Sequence, residues 1–443
     1  MKTTMSFSQL ALTLASIGLV SARPPWSNNG ELVYGSPESV GMQAAPLHQM
    51  VQNVTAYTHA ANYGRFSHYK VLPIEPGSAN LVARNGVIVS EFAVGKRNLY
   101  ADVNGTELPR HLQEDTTVDT VYDMASLTKL FTTVAALREL DAGRIELNAT
   151  VVTYIPEFAT NGKENITILE LFTHTSGFDA DPSPSLFSDS YTTYDERINA
   201  ILTQKIINTP GSTYLYSDLN FMSLALVIQT VTGRPLDELI YDYTRPLGMT
   251  STYFNRGNIE GATWQTPNYY RTATQEFQIA VLGPAEPQRP QPVRGTVHDE
   301  NAWALDGVSG HAGLFSTVRD TAAFCQMILN NGTYAGQRIL SQNAVDLIFT
   351  NFNARFPGDE HGLGFELNQY YTAGPMASLQ TASHTGFTGT TLVIDRTYNA
   401  FWLHFSNRVH PSRSWSSNNI VREAVGYWVG KSLGLDVAFP PLS

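Results

Sequence analysis

Cysteine is almost missing from this chain. Cys325 is the single one in 443 residues, so no intrachain disulfide can form. The core must hold without covalent staples, as a chain of this length can. Cys325 follows Ala322-Ala323-Phe324 and reads as a small buried hydrophobe rather than a nucleophile. Basic residues are short as well: 28 Lys and Arg against 39 Asp and Glu give a formal charge of −11. With no basic block and no interleaving of basic and aromatic residues, the chain lacks the cationic face that phosphate contacts need, which excludes nucleic acid as an expected partner. No apolar run beyond the N-terminal segment is long enough to span a bilayer, so no membrane association is expected once that segment is removed. There is no internal repeat. No phosphate-cradling glycine loop follows a strand, so no nucleotide or other cofactor is implied. His174, His298, His311 and His384 come from separate segments, without the local spacing of a zinc site, and no metal is expected.

What is present begins with a targeting pattern. Lys2, an apolar stretch from Leu10 to Val20 and the small residues of Val20-Ser21-Ala22 read as a secretory signal over residues 1–22. Arg23-Pro24-Pro25 would stop a continuing helix. Five Asn-x-Ser/Thr sites follow, at Asn53, Asn104, Asn148, Asn165 and Asn331. Together with the signal they lead us to expect a secreted, extracellular protein with N-linked glycans.

Residues 23–77 read as an irregular N-terminal extension. Leu81–Arg84 and Val87–Phe92 flank Asn85-Gly86, the strongest two-residue hairpin signal. Leu127, Leu130, Phe131, Val134, Leu137 and Leu140 recur mainly at spacings of three and four and predict a helix from Asp123 to about Ala142, ended by Gly143. A short helix near 165–175, a helix over Leu219–Val231, another over Ser316–Leu329 and a C-terminal one over Val421–Val429 are expected. Thr390–Asp395 and Ala400–Ser406 read as strands joined by a turn. Pro284, Pro287, Pro290 and Pro292 exclude regular structure from 279–297, read as a surface loop or crossing between lobes. Strands thus lie early and late with helices between. This pattern predicts an α/β domain assembled from 78–145 and 298–443, with a mainly helical lobe inserted at 146–297.

Three short segments carry candidate chemistry. In Ser126-Leu127-Thr128-Lys129 the first and last residues share a helix face, so an amine can touch a hydroxyl near free helix N–H groups. The alternative is a helix cap and a solvent lysine. Tyr216-Ser217-Asp218 follows the Pro210-Gly211-Ser212 turn and precedes a helix. Tyr216 is able to relay a proton there, or only to pack, with Asp218 as a cap. His384-Thr385-Gly386-Phe387-Thr388-Gly389-Thr390 enters a predicted strand and offers donors beside glycines that leave room for a ligand, or else is a plain strand-edge turn.

Taken together, the three segments resemble the serine β-lactamase and D,D-peptidase superfamily on its class C side, which includes related esterases. Ser-x-x-Lys comes first, the tyrosine motif about ninety residues on, and His-Thr-Gly near the end. Leu171-Phe172-Thr173-His174-Thr175-Ser176-Gly177 and the run from Gly307 to Ser316 add to the likeness, which spans about 78–435. The resemblance implies an antiparallel sheet flanked by helices plus the helical lobe. It implies Ser126 as nucleophile, with Lys129 and Tyr216 managing protons, and an oxyanion held between the N–H groups of Ser126 and Phe387. His384, Thr385 and Gly386 would line the substrate. Two positions depart from the family pattern. Asp218 stands where asparagine is usual. Pointing inward, it would favour a protonated Lys129 and shift the base role to Tyr216; pointing outward, it would leave Asn220 or another donor in the amide's place. His384 stands where β-lactamases usually have lysine, which weakens the expectation of strong β-lactam turnover.

The expected function is hydrolysis of an ester, lactone or amide in a small-molecule acyl substrate through an acyl-serine, with a carboxylester or lactone favoured. D,D-peptidase or β-lactamase activity, acyl transfer and non-catalytic binding are the alternatives.

Overall fold

The computed structural model describes residues 29–64, 72–256 and 268–441; the expected signal segment, residues 1–22, lies outside them. Its centre is a sheet of β1 (Val33–Tyr34), β2 (Gly77–Arg84), β3 (Val87–Asn98), β4 (Glu366–Leu367), β5 (Thr381–Thr385), β6 (Thr391–Asp395) and β7 (Ala400–Ser406), in the order β1-β3-β2-β7-β6-β5-β4. The short strand Glu114–Asp115 extends β3. All of these pairings are antiparallel except β1 with β3. The β2–β3 hairpin turns on Asn85 at φ 53° and Gly86 at φ 82°, both left-handed as a two-residue turn of this twist requires.

Side chains alternate across the sheet. Leu81 and Ala83 of β2, Leu392 and Ile394 of β6, and Phe401, Leu403 and Phe405 of β7 face one core. Val82, Val393 and Trp402 face the other, against α1 (Ala44–Ala56) and the C-terminal α6 (Asn419–Ser432). The segment read as an N-terminal extension therefore contributes a helix to one layer. On the other side lie α2 (Thr128–Asp141) and α5 (Val318–Leu329), and beyond α2 the helices α3 (Asp218–Thr232) and α4 (Leu236–Thr244). Every residue of α2 from Thr128 to Leu137 is buried, as expected of a helix packed on all sides.

Three local expectations are corrected. The helix predicted from Asp123 begins only at Thr128. Tyr122–Asp123 is a strand paired with Phe315–Ser316, and Ala125–Leu127 is a 3₁₀ turn. The helix predicted from Ser316 begins at Val318, because Ser316 belongs to the strand Leu314–Ser316; the Thr317 side chain caps the helix by accepting from the Asp320 N–H. The proline-rich stretch 279–297, from which regular structure was excluded, begins inside a short helix, Gln278–Leu282, and its second half packs inward. Val293 and Val297 are buried, buried Arg289 donates to the Val297 and His298 carbonyls, and Arg294 pairs with Glu114 at 2.7 Å.

Candidate active site

Ser126 stands at the entrance to α2. Ala125, just before it, sits at φ 45°, a left-handed conformation that costs an L-residue about 1 kcal/mol or more. The Asp123 carboxylate holds this turn: Oδ1 accepts from the Ala125 N–H at 2.8 Å and Oδ2 from the His298 N–H at 2.6 Å. Lys129, fully buried, places its ammonium 3.1 Å from Ser126 Oγ and 3.3 Å from the His311 carbonyl. The hydroxyl and the amine thus meet, with Ser126 opening onto a cavity of about 400 Å³.

Asp218 points inward. Its Oδ1 lies 2.7 Å from Lys129 Nζ. His311 is the next member of this charge cluster, with Nε2 2.9 Å from Asp299 Oδ1 and 3.9 Å from Asp218 Oδ2. Burial opposes a charged His311, but the Asp299 and Asp218 carboxylates outweigh it and raise its pKa. Burial likewise opposes ionisation of Asp299, and the charge and hydrogen bond of His311 hold it below the usual range. Burial and the neighbouring charges of Asp218 and Asp299 push Asp181 up to about 6. Asp218, Asp299 and His311 also bring ligand atoms within 4.8 Å of one another, a juxtaposition that sequence spacing concealed. A divalent ion there would compete with Lys129 for Asp218.

Tyr216 lines the same cavity. Burial first, and the charge of Asp218 second, push its phenol well above its ordinary value, with the Ser126 hydroxyl pulling the other way. The inward Asp218 and the burial thus both favour the protonated phenol. His174 positions the tyrosine. Its ring lies 4.5 Å from that of Tyr216, and its Nδ1 accepts from the Ser217 N–H at 3.1 Å. Asn220 is placed away from the substrate side. It is fully buried, accepts from Ser176 Oγ and contacts His174 Nδ1 at 3.1 Å, so it braces the loop behind Tyr216 and does not replace the missing amide.

The third segment closes the site. His384 and Thr385 end β5 and line the cavity with Phe387. Gly386 is dictated by contact: a Cβ there would sit 2.1 Å from Thr390 Oγ1 and 2.5 Å from the Met124 carbonyl. Thr388 Oγ1 donates to the Asp123 carbonyl at 2.7 Å and Thr390 Oγ1 to that of Met124 at 3.1 Å. These staples lay the backbone of 386–387 alongside that of 124–126, the juxtaposition an oxyanion hole needs. Burial, then the charge of Lys129, lowers the His384 pKa to about 3. The imidazole is therefore neutral at pH 7, and Nδ1 donates to the Thr385 carbonyl at 2.8 Å.

The remaining wall comes mostly from 350–380, a segment that the sequence suggests for the pocket wall but does not place. Tyr214, Asp359, Glu360, Glu366, Gln369 and Tyr371 complete the lining. Tyr371 donates to Glu366 Oε2 at 2.6 Å. Burial pushes the Glu366 carboxyl up to about 7 against the hydrogen bond from Tyr371 and the charges of Arg422 and Lys129. The wall's acidic pair Asp359-Glu360 lies in a loop that nothing local in the sequence places.

A three-layer α/β fold with a Ser-x-x-Lys nucleophile at the head of its central helix defines a serine hydrolase of the β-lactamase type. The chain belongs to the Beta-lactamase family, whose model matches residues 72–427. A relative from Salmonella agona (strain SL483) that carries the provisional name D-alanyl-D-alanine carboxypeptidase is 32% identical over 406 residues, 86% of each chain. Among solved structures, EstCE1, described as a hydrolase with promiscuous acyltransferase activity, shares the fold at TM-score 0.62 and 20% identity, over 86% of this chain and 98% of its own. A class C β-lactamase does so at TM-score 0.62 and 16% identity, over 88% and 95%.

Proposed function

We propose that the protein hydrolyses a carboxylic ester or lactone, or an amide, through an acyl-serine on Ser126. The observation that carries this reading is the 3.1 Å contact between Lys129 Nζ and Ser126 Oγ at the cavity. Lys129 passes a proton to Asp218 and, as an amine, takes the Ser126 proton while Oγ bonds to the substrate carbonyl carbon. The carbonyl oxygen, now negative, faces the N–H groups of Ser126 and Phe387. As the tetrahedral centre collapses, the bond to the leaving group breaks and that group takes the phenolic proton of Tyr216. The proton held on Lys129 then restores the phenol. Water repeats the sequence in reverse and releases the acid.

A fluorophosphonate or penicillin-type probe should add its mass to Ser126, and Ser126→Ala should abolish the addition. Lys129→Ala should slow acylation by about 10²- to 10⁴-fold, the range for lost proton transfer. Unlabelled wild-type protein with every acylating probe, or full activity in Lys129→Ala, would sink the reading. D,D-carboxypeptidase activity is the second reading, favoured by the name of the 32%-identical relative. Parallel panels of esters and D-alanyl-D-alanine peptides separate the two.

We also propose that the chain is secreted and glycosylated. Asn104, Asn148 and Asn165 are exposed; Asn331 is exposed as well, but its Oδ1 accepts from Gln342 and Arg396, and half-buried Asn53 accepts from Trp428 Nε1 at 3.0 Å. Protein passed through a eukaryotic secretory route should carry glycans at the first three sites, and glycopeptide mapping that finds none there would count against this.

A further inference from the structure

The cavity onto which Ser126 opens has three carboxylates in its lining, Asp359, Glu360 and Glu366, and no lysine or arginine. None of the three has an ion-pair partner among the described residues, whereas Glu114, Asp237 and Glu276, for example, each face an arginine: Arg294 at 2.7 Å, Arg256 at 2.6 Å and Arg413 at 2.8 Å. Lys129, the nearest cation to the nucleophile, is engaged by Asp218. His384 adds an independent observation. It is 2% exposed, its Nδ1 proton goes to the Thr385 carbonyl, and Nε2 is left as an acceptor without a partner among the described residues. Tyr214 and Tyr371 add aromatic faces to the same lining. Carboxylates, a bare imidazole nitrogen and aromatic rings together ask for a ligand that brings positive charge and donors.

On the reading that Ser126 forms an acyl-enzyme, we propose that the cleft selects substrates bearing an ammonium group, seated against Asp359, Glu360 and Glu366. A substrate ending in a free carboxylate, as a D-alanyl-D-alanine peptide does, would instead meet like charge at this wall, without a cation in the lining to receive it.

Matched esters ending in a trimethylammonium, tert-butyl or carboxylate group test this, with the group placed on the acyl chain in one series and on the alcohol in a second. The trimethylammonium ester should exceed its tert-butyl isostere in kcat/KM by about tenfold or more in one of the series, and the carboxylate ester should be the poorest. The double variant Asp359→Asn, Glu360→Gln should reduce the ammonium-to-tert-butyl ratio severalfold, whatever it does to the individual rates. A ratio near one in both series, or preference for the carboxylate ester, overturns the inference and leaves the hydrolase reading standing. Failure of every ester, with no probe on Ser126, overturns the hydrolase reading and this inference with it.

Discussion

Asp218 turns a neutral position of the family pattern into a charged one, and its carboxylate lies 2.7 Å from Lys129. Removing that charge tests what it does. In Asp218→Asn, Lys129 loses its proton acceptor, so turnover of a neutral ester should fall. The negative potential beside the nucleophile also falls, so the kcat/KM of a carboxylate-bearing ester relative to a neutral one should rise, on the order of tenfold. Steady-state kinetics on the two esters measure both effects, and an unchanged ratio would mean that Asp218 is electrostatically silent toward substrate. Ser126, Lys129, Tyr216 and His384 were legible because each sits in a short motif at a fixed offset. Asp299 and His311 were not, although both were visible as residues: their 2.9 Å pairing joins segments twelve residues apart, and nothing in the intervening sequence dictates that the chain folds back there. Asn220 was misplaced for a related reason. The sequence shows an amide near the motif but not the His174 and Ser176 partners that occupy it.

At the scale of elements, the site depends on two backbones meeting. The turn after β5 touches the turn before α2 because Gly386 has no Cβ to collide with Met124 and Thr390. Gly386→Ala should push residues 386–387 away from Ser126 and cost the oxyanion one donor. A kcat loss of about 10²- to 10³-fold follows, the range for a missing oxyanion donor. The melting temperature should fall only modestly, since most of β5 and β6 is untouched. Parallel activity and melting curves check this, and an active Gly386→Ala protein would show that the contact does not position the N–H groups. The long elements were readable from periodicity: the Asn-Gly hairpin, α3, α5 and α6 lie within a few residues of expectation. The entrance to α2 was not. Periodicity from Leu127 onward matches a helix, but the strand at Tyr122–Asp123 is made by distant Phe315–Ser316, and the left-handed Ala125 has no side-chain signature. The misreading falls beside Ser126, the proposed nucleophile, where backbone strain concentrates.

Across the whole molecule, an acidic cleft has to be held open against the fold's own preference. Glu366 shows the conflict. It is 8% exposed on β4, and its carboxyl is pushed up to about 7 by burial, with Asp359 adding to the rise and Tyr371, Arg422 and Lys129 resisting it. Below pH 4.5 the group is protonated in folded and unfolded chains alike and contributes no penalty. Between pH 4.5 and 7 the unfolded chain ionises first, so this group's contribution to stability falls as pH rises; above 7 the penalty is complete. The difference between about 4.5 and about 7 corresponds to about 3 kcal/mol. Glu366→Gln removes the titration while keeping similar volume. The stability difference between variant and wild type, read by denaturant unfolding, should therefore shift in the variant's favour by about 2–3 kcal/mol between pH 5 and pH 8. The same difference at both pH values would show that Glu366 ionises freely in the folded protein. A carboxylate that destabilises the fold where it lines a cleft is consistent with selection for binding rather than for stability. Tetramethylammonium, which the enzyme cannot hydrolyse, present during unfolding should recover part of the wild-type deficit at pH 8 and less of it at pH 5, because it favours the Glu366 carboxylate only where that group is ionised.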